Sequence, residues 1–151
     1  MQELKNSLRI QDEKMGRSKN LTTYIHNKSN AKLGDALVNF IYSVAKSLVS
    51  GIPTGMKVSD SILSEAFKGS MWHKTNTLKL SGKKNRIADS VEALILFFWV
   101  HEGLSLKNLI EPLESQLEPQ SFRHPKEEHL TAVLSFQNLL NILHQIYVER
   151  K

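Results

Sequence analysis

No cysteine occurs among the 151 residues. Disulfides, cysteine nucleophiles, thiolate zinc sites and iron–sulfur clusters are therefore excluded. A cysteine-free chain also suits a reducing compartment, and a cytoplasmic location is expected. Long apolar runs are missing as well. The longest, Ala93–Val100, falls far short of the roughly 20 residues a membrane helix needs, so no membrane partner is expected. No stretch shows the strict apolar–polar alternation of a half-buried strand. Residues Met1 to Lys19 are polar and mixed in charge, unlike a signal peptide. With no internal repeat and no long linker, 151 residues point to a single domain with one core. Acids are outnumbered by bases 15 to 20, giving a net charge of +5. That excess is a mild argument for a polyanionic partner and an equally good description of an indifferent basic surface.

What is present reads as helix almost throughout, and the fold class is all-α. Residues 1–19 form a polar N-terminal segment in which Leu4, Leu8 and Ile10 suffice for a turn or two of amphipathic helix. Leu21–His26 suits a short helix. From about 31 to 50, Leu33, Leu37, Phe40, Ile41, Val44 and Leu48 recur at helical spacing, and Gly51-Ile52-Pro53-Thr54-Gly55 ends the run. Ser59 or Asp60 caps the next helix, which carries Ile62, Leu63, Ala66 and Phe67 to about Lys68. Residues 70–80 follow no pattern, and Ser81–Asn85 is a basic loop. Helices are expected over about 86–101 and 105–117, with a break near Pro119. A long amphipathic helix then runs from about 126 to 149, with Pro125 at its first turn.

Two strings put carboxylates into these apolar helices: Leu33-Gly34-Asp35-Ala36-Leu37 and Ala88-Asp89-Ser90-Val91-Glu92-Ala93-Leu94. The second runs into Leu94–Val100, which is apolar on every face, and such a helix is normally buried. A buried charge needs a partner or a metal. Asp89 and Glu92 share a face one turn apart, and that face continues through Leu96 and Trp99 rather than through polar residues. Asp35 shares its face with Asn39, Ser43 and Lys46. Three acids on two helices make a plausible seat for a hard divalent cation. First-turn acids favoured by the helix dipole would explain Asp89 and Glu92 equally, and a solvated or capping acid would explain Asp35.

Both strings, in this order and at this separation, resemble the ribonuclease III endonuclease domain, over about residues 20–145. Tyr24-Ile25-His26-Asn27-Lys28-Ser29 is a loose version of that family's Thr-His-x-Ser stretch. The resemblance implies an all-helical fold of about seven helices over residues 20–151. It also implies a homodimer, and divalent-metal-dependent cleavage of double-stranded RNA to 5′-phosphomonoesters. Asp35 and Glu92 match the positions that bind the catalytic metal, Mg²⁺ or Mn²⁺, and Asp89 matches an accessory acid. The chain departs from the usual pattern at Ala31, where a glutamate is typical, and at Lys28, where another acid often stands. The mini-ribonuclease III group is similar in having alanine at the first of these and no appended RNA-binding domain. It carries a glutamate where this chain has Asn39, whose amide still reaches the site's surroundings without adding charge.

RNA binding calls for cations outside the acid cluster. Lys83, Lys84 and Arg86 lie just before the Asp89 helix, and Lys74 and Lys79 extend the basic stretch. The apolar helix with Phe97, Phe98 and Trp99 and the helix over 58–68 are the candidate dimer faces, and core packing explains the first equally well. Other signals are discarded. Gly51–Lys57 has the wrong glycine spacing for a phosphate loop. His124 and His129 are too poorly spaced for zinc, His101-Glu102 lacks a second histidine, and His26 and His73 read as structural. Three functional readings compete: a metal-dependent ribonuclease, a catalytically inactive relative that binds RNA or ribonucleoprotein, and an all-helical protein-interaction module in which the two motifs arise by chance.

Overall fold

A computed structural model describes residues 1–15 and 20–150. Among them there is no strand. The elements are α1 (Gln2–Lys14), α2 (Leu21–Ile25), α3 (Lys28–Ser50), α4 (Asp60–Lys68), α5 (Met71–Lys74), α6 (Lys84–His101), α7 (Leu106–Glu114) and α8 (Pro125–Glu149), with a 3₁₀ turn at Pro119–Arg123. Over residues 20–150 these are the expected seven α-helices, and α1 precedes them; residues 70–80, in which no pattern was read, contain α5. Its Trp72 is fully buried and donates its indole N–H to the Leu140 carbonyl at 2.8 Å.

The centre of the fold is α6. Every residue from Ser90 to Val100 is buried, as an all-round apolar helix requires. It is wrapped by α1, α2, α3 and α4, while α8 covers α4 and α7. This arrangement removes both candidate dimer faces. Phe97, Phe98 and Trp99 belong to the core, as do Ile62, Leu63, Ala66 and Phe67 of α4. No described helix is long and apolar enough to cross a membrane.

The element that touches α6 most extensively is α3. It starts three residues earlier than its apolar pattern suggests, because the Asn27 side chain accepts the amides of Ser29 (2.9 Å) and Asn30 (3.2 Å) as an N-cap. It stops at Gly51, whose φ of 76° suits glycine. Where α3 crosses α6, Gly34 lies directly on the Glu92 backbone. A Cβ at that position would overlap the Glu92 carbonyl, 2.5 Å from its carbon and 3.1 Å from the Ala93 nitrogen. The glycine next to Asp35 is therefore what allows the two acid-bearing helices to meet.

Of the three apolar residues noted in α1, Leu8 packs against the core. Leu4 and Ile10 are exposed, at 60% and 51%, while Lys5 and Asp12 are buried. The reason is the C-terminal end of α6, whose carbonyls attract cations. Lys5 Nζ donates to the Leu104 carbonyl at 2.7 Å, Arg9 reaches the Val100 carbonyl at 3.4 Å, and Asp12 meets His101 Nε2 at 2.9 Å. The rest of the predicted N-terminal segment, 16–19, lies outside the described residues. Helix α7 ends at Glu114 rather than 117, and Ser105 and Asn108 close a reciprocal capping box at its start.

Candidate active site

The polar stripe of α3 is not a wet face. Asn39, Ser43 and Ser47 follow Asp35 at four-residue intervals. Ser47 Oγ accepts the Thr54 amide (2.9 Å), Ser43 Oγ the Met56 amide (2.9 Å) and Asn39 Oδ1 the Val58 amide (2.8 Å). Four residues of helix rise about 6 Å and two residues of extended chain about 6.6 Å, so alternate loop amides meet successive helical turns. The loop after α3 is thereby strapped back along it. Its Lys57 is delivered to Asp35, with Nζ 3.2 and 3.3 Å from the two carboxylate oxygens. The same glycine-rich string discarded as a phosphate loop supplies this lysine.

Asp35 also accepts a hydrogen bond from Asn39 Nδ2 at 3.2 Å. Across the α3–α6 crossing it faces Glu92, which is only 5% exposed. Burial, and then the hydrogen bond and charge of Asp35, push Glu92 up to about 9. Asp35 moves the other way, held below its ordinary range by the hydrogen bond from Glu92 and by Lys57. The two therefore share one proton, which resides on Glu92 and is donated to the Asp35 carboxylate; the titration belongs to the pair.

Asp89 departs from expectation. It is exposed, the one residue of Ile87–Val100 that reaches solvent. Its pKa is nonetheless raised, by desolvation and then by the charge of Asp60, with Lys28 opposing. Asp60, in the first turn of α4, was read from the sequence only as a capping residue. Its field raises Asp89 and Glu92 alike, so it belongs to the site's surroundings. Its sequence signal was weak because the cap role falls to Ser59, whose Oγ accepts the Ile62 amide at 3.3 Å.

Among the described residues, no three acid or histidine side chains form a ready-made metal cluster. The donor set nevertheless fits a hard cation. Asp35, Glu92, Asp89 and Asn39 offer only oxygen ligands or an amide. The paired carboxyls hold a proton because they cannot both be charged, and an ammonium already sits on Asp35. Lys57 competes for the same oxygens. Lys57→Met is expected to tighten Mn²⁺ binding, measured by calorimetry, by up to about fivefold, the worth of a surface ion pair. An unchanged or weaker affinity would show that the contact does not compete.

Of the expected RNA-binding cations, Arg86 lines a cleft of about 450 Å³ together with Asp89, Ser90, Lys28 and Lys79. Lys83 caps α6 through its backbone, and Lys84 Nζ donates to Ser61 Oγ at 3.1 Å. Lys74 is on α5, which packs on α4 and α8, and it does not line the cleft. The family model described as Ribonuclease III matches residues 28–147, from the first residue of α3 almost to the end of α8. No curated protein matches the chain.

Proposed function

Because this chain belongs to the ribonuclease III family, we propose that it is a metal-dependent endoribonuclease. It hydrolyses phosphodiester bonds of double-stranded or structured RNA, leaves 5′-phosphomonoesters and serves RNA processing. The observation that supports this most is the meeting of Asp35 and Glu92, two carboxyls from different helices brought together where Gly34 lets α3 lie on the Glu92 backbone. A structural acid pair brings no benefit to a core that apolar residues would fill as well. The pair is instead suited to receive a cation, on whose arrival Glu92 gives up its proton.

In this reading Asp35 and Glu92 hold Mg²⁺ or Mn²⁺, with Asp89 as the outer acid. Such an ion, when bound, polarises the phosphate and lowers the pKa of water. Asn39 fixes the Asp35 carboxylate through its amide, and its own oxygen is fixed in turn by the Val58 amide. A homodimer is part of the proposal. With the earlier faces buried, one apolar surface still open to a partner is that of Leu33 and Phe40, 42% and 52% exposed on the side of α3 away from Asp35.

The inactive-relative reading draws on Ala31, which removes one acid of the usual pattern. Incubation of a long RNA duplex with the protein in Mg²⁺ or Mn²⁺ separates the two. Fragmentation that EDTA prevents is expected. Intact duplex in both metals, with the protein still bound, would leave the inactive relative.

A further inference from the structure

The cleft beside the acid pair has a charge pattern that the proposed metal chemistry does not use. Lys28 from the start of α3, Lys79 from the segment before α6 and Arg86 from the first turn of α6 all line it. Asp89 is the one carboxylate on its wall, and His26 adds ring nitrogens. Lys28, Lys79 and Arg86 are exposed, and among the described residues none of them forms an ion pair with an acid. Some other cations have partners: Lys46 lies 2.7 Å from Glu128, Lys57 sits on Asp35, and Lys5 is bound to a carbonyl; what sets Lys28, Lys79 and Arg86 apart is that they share one concavity. Three cations from separate segments face a single carboxylate, Asp89, around one concavity, and the excess of positive charge favours an incoming anion. The volume, about 450 Å³, suits a nucleotide rather than a lone ion. Asp89 stands one helical turn before Glu92 on α6 and Ala31 one turn before Asp35 on α3, and both line the cleft, so it lies next to the acid pair.

We infer that this cleft is a nucleotide-phosphate subsite, in which Lys28, Lys79 and Arg86 hold a phosphate of the RNA strand next to the one presented to Asp35 and Glu92. The inference rests on the proposed function for its ligand class and deepens it. Lys28 acquires a role here that an acid at the same position would oppose. A site short of one carboxylate gains a fixed cation on the substrate side.

The test uses binding, so it does not depend on cleavage. The full chain is titrated with a blunt RNA duplex of about two helical turns in EDTA, over a range of salt. Lys28→Ala and Arg86→Ala are each expected to weaken binding about five- to tenfold and to lower the slope of log K against log salt by about one. Lys28→Arg is expected to retain both. The control is Lys107→Ala, which removes an equally exposed lysine that pairs with Glu111 on α7 and should change neither. Adenosine 5′-monophosphate identifies the phosphate. If it binds and needs Lys28, the subsite takes a terminal phosphomonoester. If it does not bind while the duplex still needs Lys28, the subsite takes an internal phosphodiester. Lys28→Ala and Arg86→Ala indistinguishable from Lys107→Ala in affinity and slope would overturn the inference. Lys28-dependent binding without metal-dependent cleavage would sink the proposed reaction and leave the subsite standing; cleavage indifferent to Lys28 would do the reverse.

Discussion

Glu92→Gln abolishes cleavage and makes the metal-free protein more stable. Both halves follow from the proton that Glu92 carries. Loss of a ligand carboxylate should cost at least about 10²-fold in rate, since even outer partners of a metal site cost 10- to 100-fold. For stability the sign is worked out from the two states. The folded pKa of Glu92 is about 9, against 4.5 when exposed, so between these values the folded chain holds a proton that the unfolded chain has lost. Stability therefore falls as pH rises from 4.5 towards 9. Asp35 acts in the opposite sense, because its lowered pKa gives stability above the ordinary carboxylate range that is lost on acidification. Glutamine is neutral at every pH, and its amide donates to Asp35 as the protonated glutamate does. At pH 7 the gain is of the order of 1–3 kcal/mol, a rise of several degrees in Tm, and it vanishes near pH 4.5. Thermal melts in EDTA from pH 4.5 to 9 measure it. A variant that is inactive and less stable at pH 8 would mean that Glu92 is ionised in the resting protein.

Gly34→Val separates the helices that carry the site. The nearest atoms are backbone, the carbonyl of Glu92 and the nitrogen of Ala93, and neither can rotate away. Overpacking of this kind typically costs 1–3 kcal/mol, and a rigid obstacle places the cost at the upper end, about 3 kcal/mol. For a domain of this size that lowers Tm by roughly 6–12 °C. Activity should fall further than stability, because a shift of about 1 Å between α3 and α6 moves Asp35 away from Glu92. Melting and single-turnover cleavage on the folded fraction separate the two effects. A variant as stable as the parent would show that the crossing is looser than its geometry indicates.

The parts of the fold that could be read from the chain are those governed by burial. Helix α6 announced itself through a run apolar on every side, and Glu92 was recognisable as an acid that such a run would enclose. Asp89, one turn earlier, looked the same by spacing and differs in outcome: its neighbours Ile87, Ala88 and Ser90 are buried, but its own side of α6 opens onto a cleft. Hydrophobic periodicity was a weak guide to α1, where of Leu4, Leu8 and Ile10 only Leu8 packs against the core. Its inward side is chosen by the carbonyls at the end of α6, which bind Lys5 and Arg9, and no pattern within residues 2–14 reports where those carbonyls lie.

Lys57 was hidden for a related reason. The four-residue spacing of Asp35, Asn39, Ser43 and Ser47 was visible, but a polar stripe reads as solvent-facing until a strand of loop is known to lie on it. Lys28 was visible as a departure from a resemblance and acquires meaning only beside Lys79 and Arg86, which are 51 and 58 positions away. For the Phe97–Trp99 helix, core packing and a dimer face were equal readings of the same apolar run, and burial decides for the core. The core of this fold consumes both helices that were candidates, and the exposed Leu33 and Phe40 lie on α3 instead.

The most direct test of the account is Mn²⁺ binding to the parent and to Asp35→Asn and Glu92→Gln at pH 7, with simultaneous measurement of released protons. The account predicts Mn²⁺ binding to the parent with release of about one proton per ion, since the pair must ionise to receive it. Binding should be lost or severely weakened in both variants, with no accompanying proton release. Mn²⁺ binding that survives both substitutions, or that releases no proton from the parent, would contradict the claim that the Asp35–Glu92 pair is the metal seat.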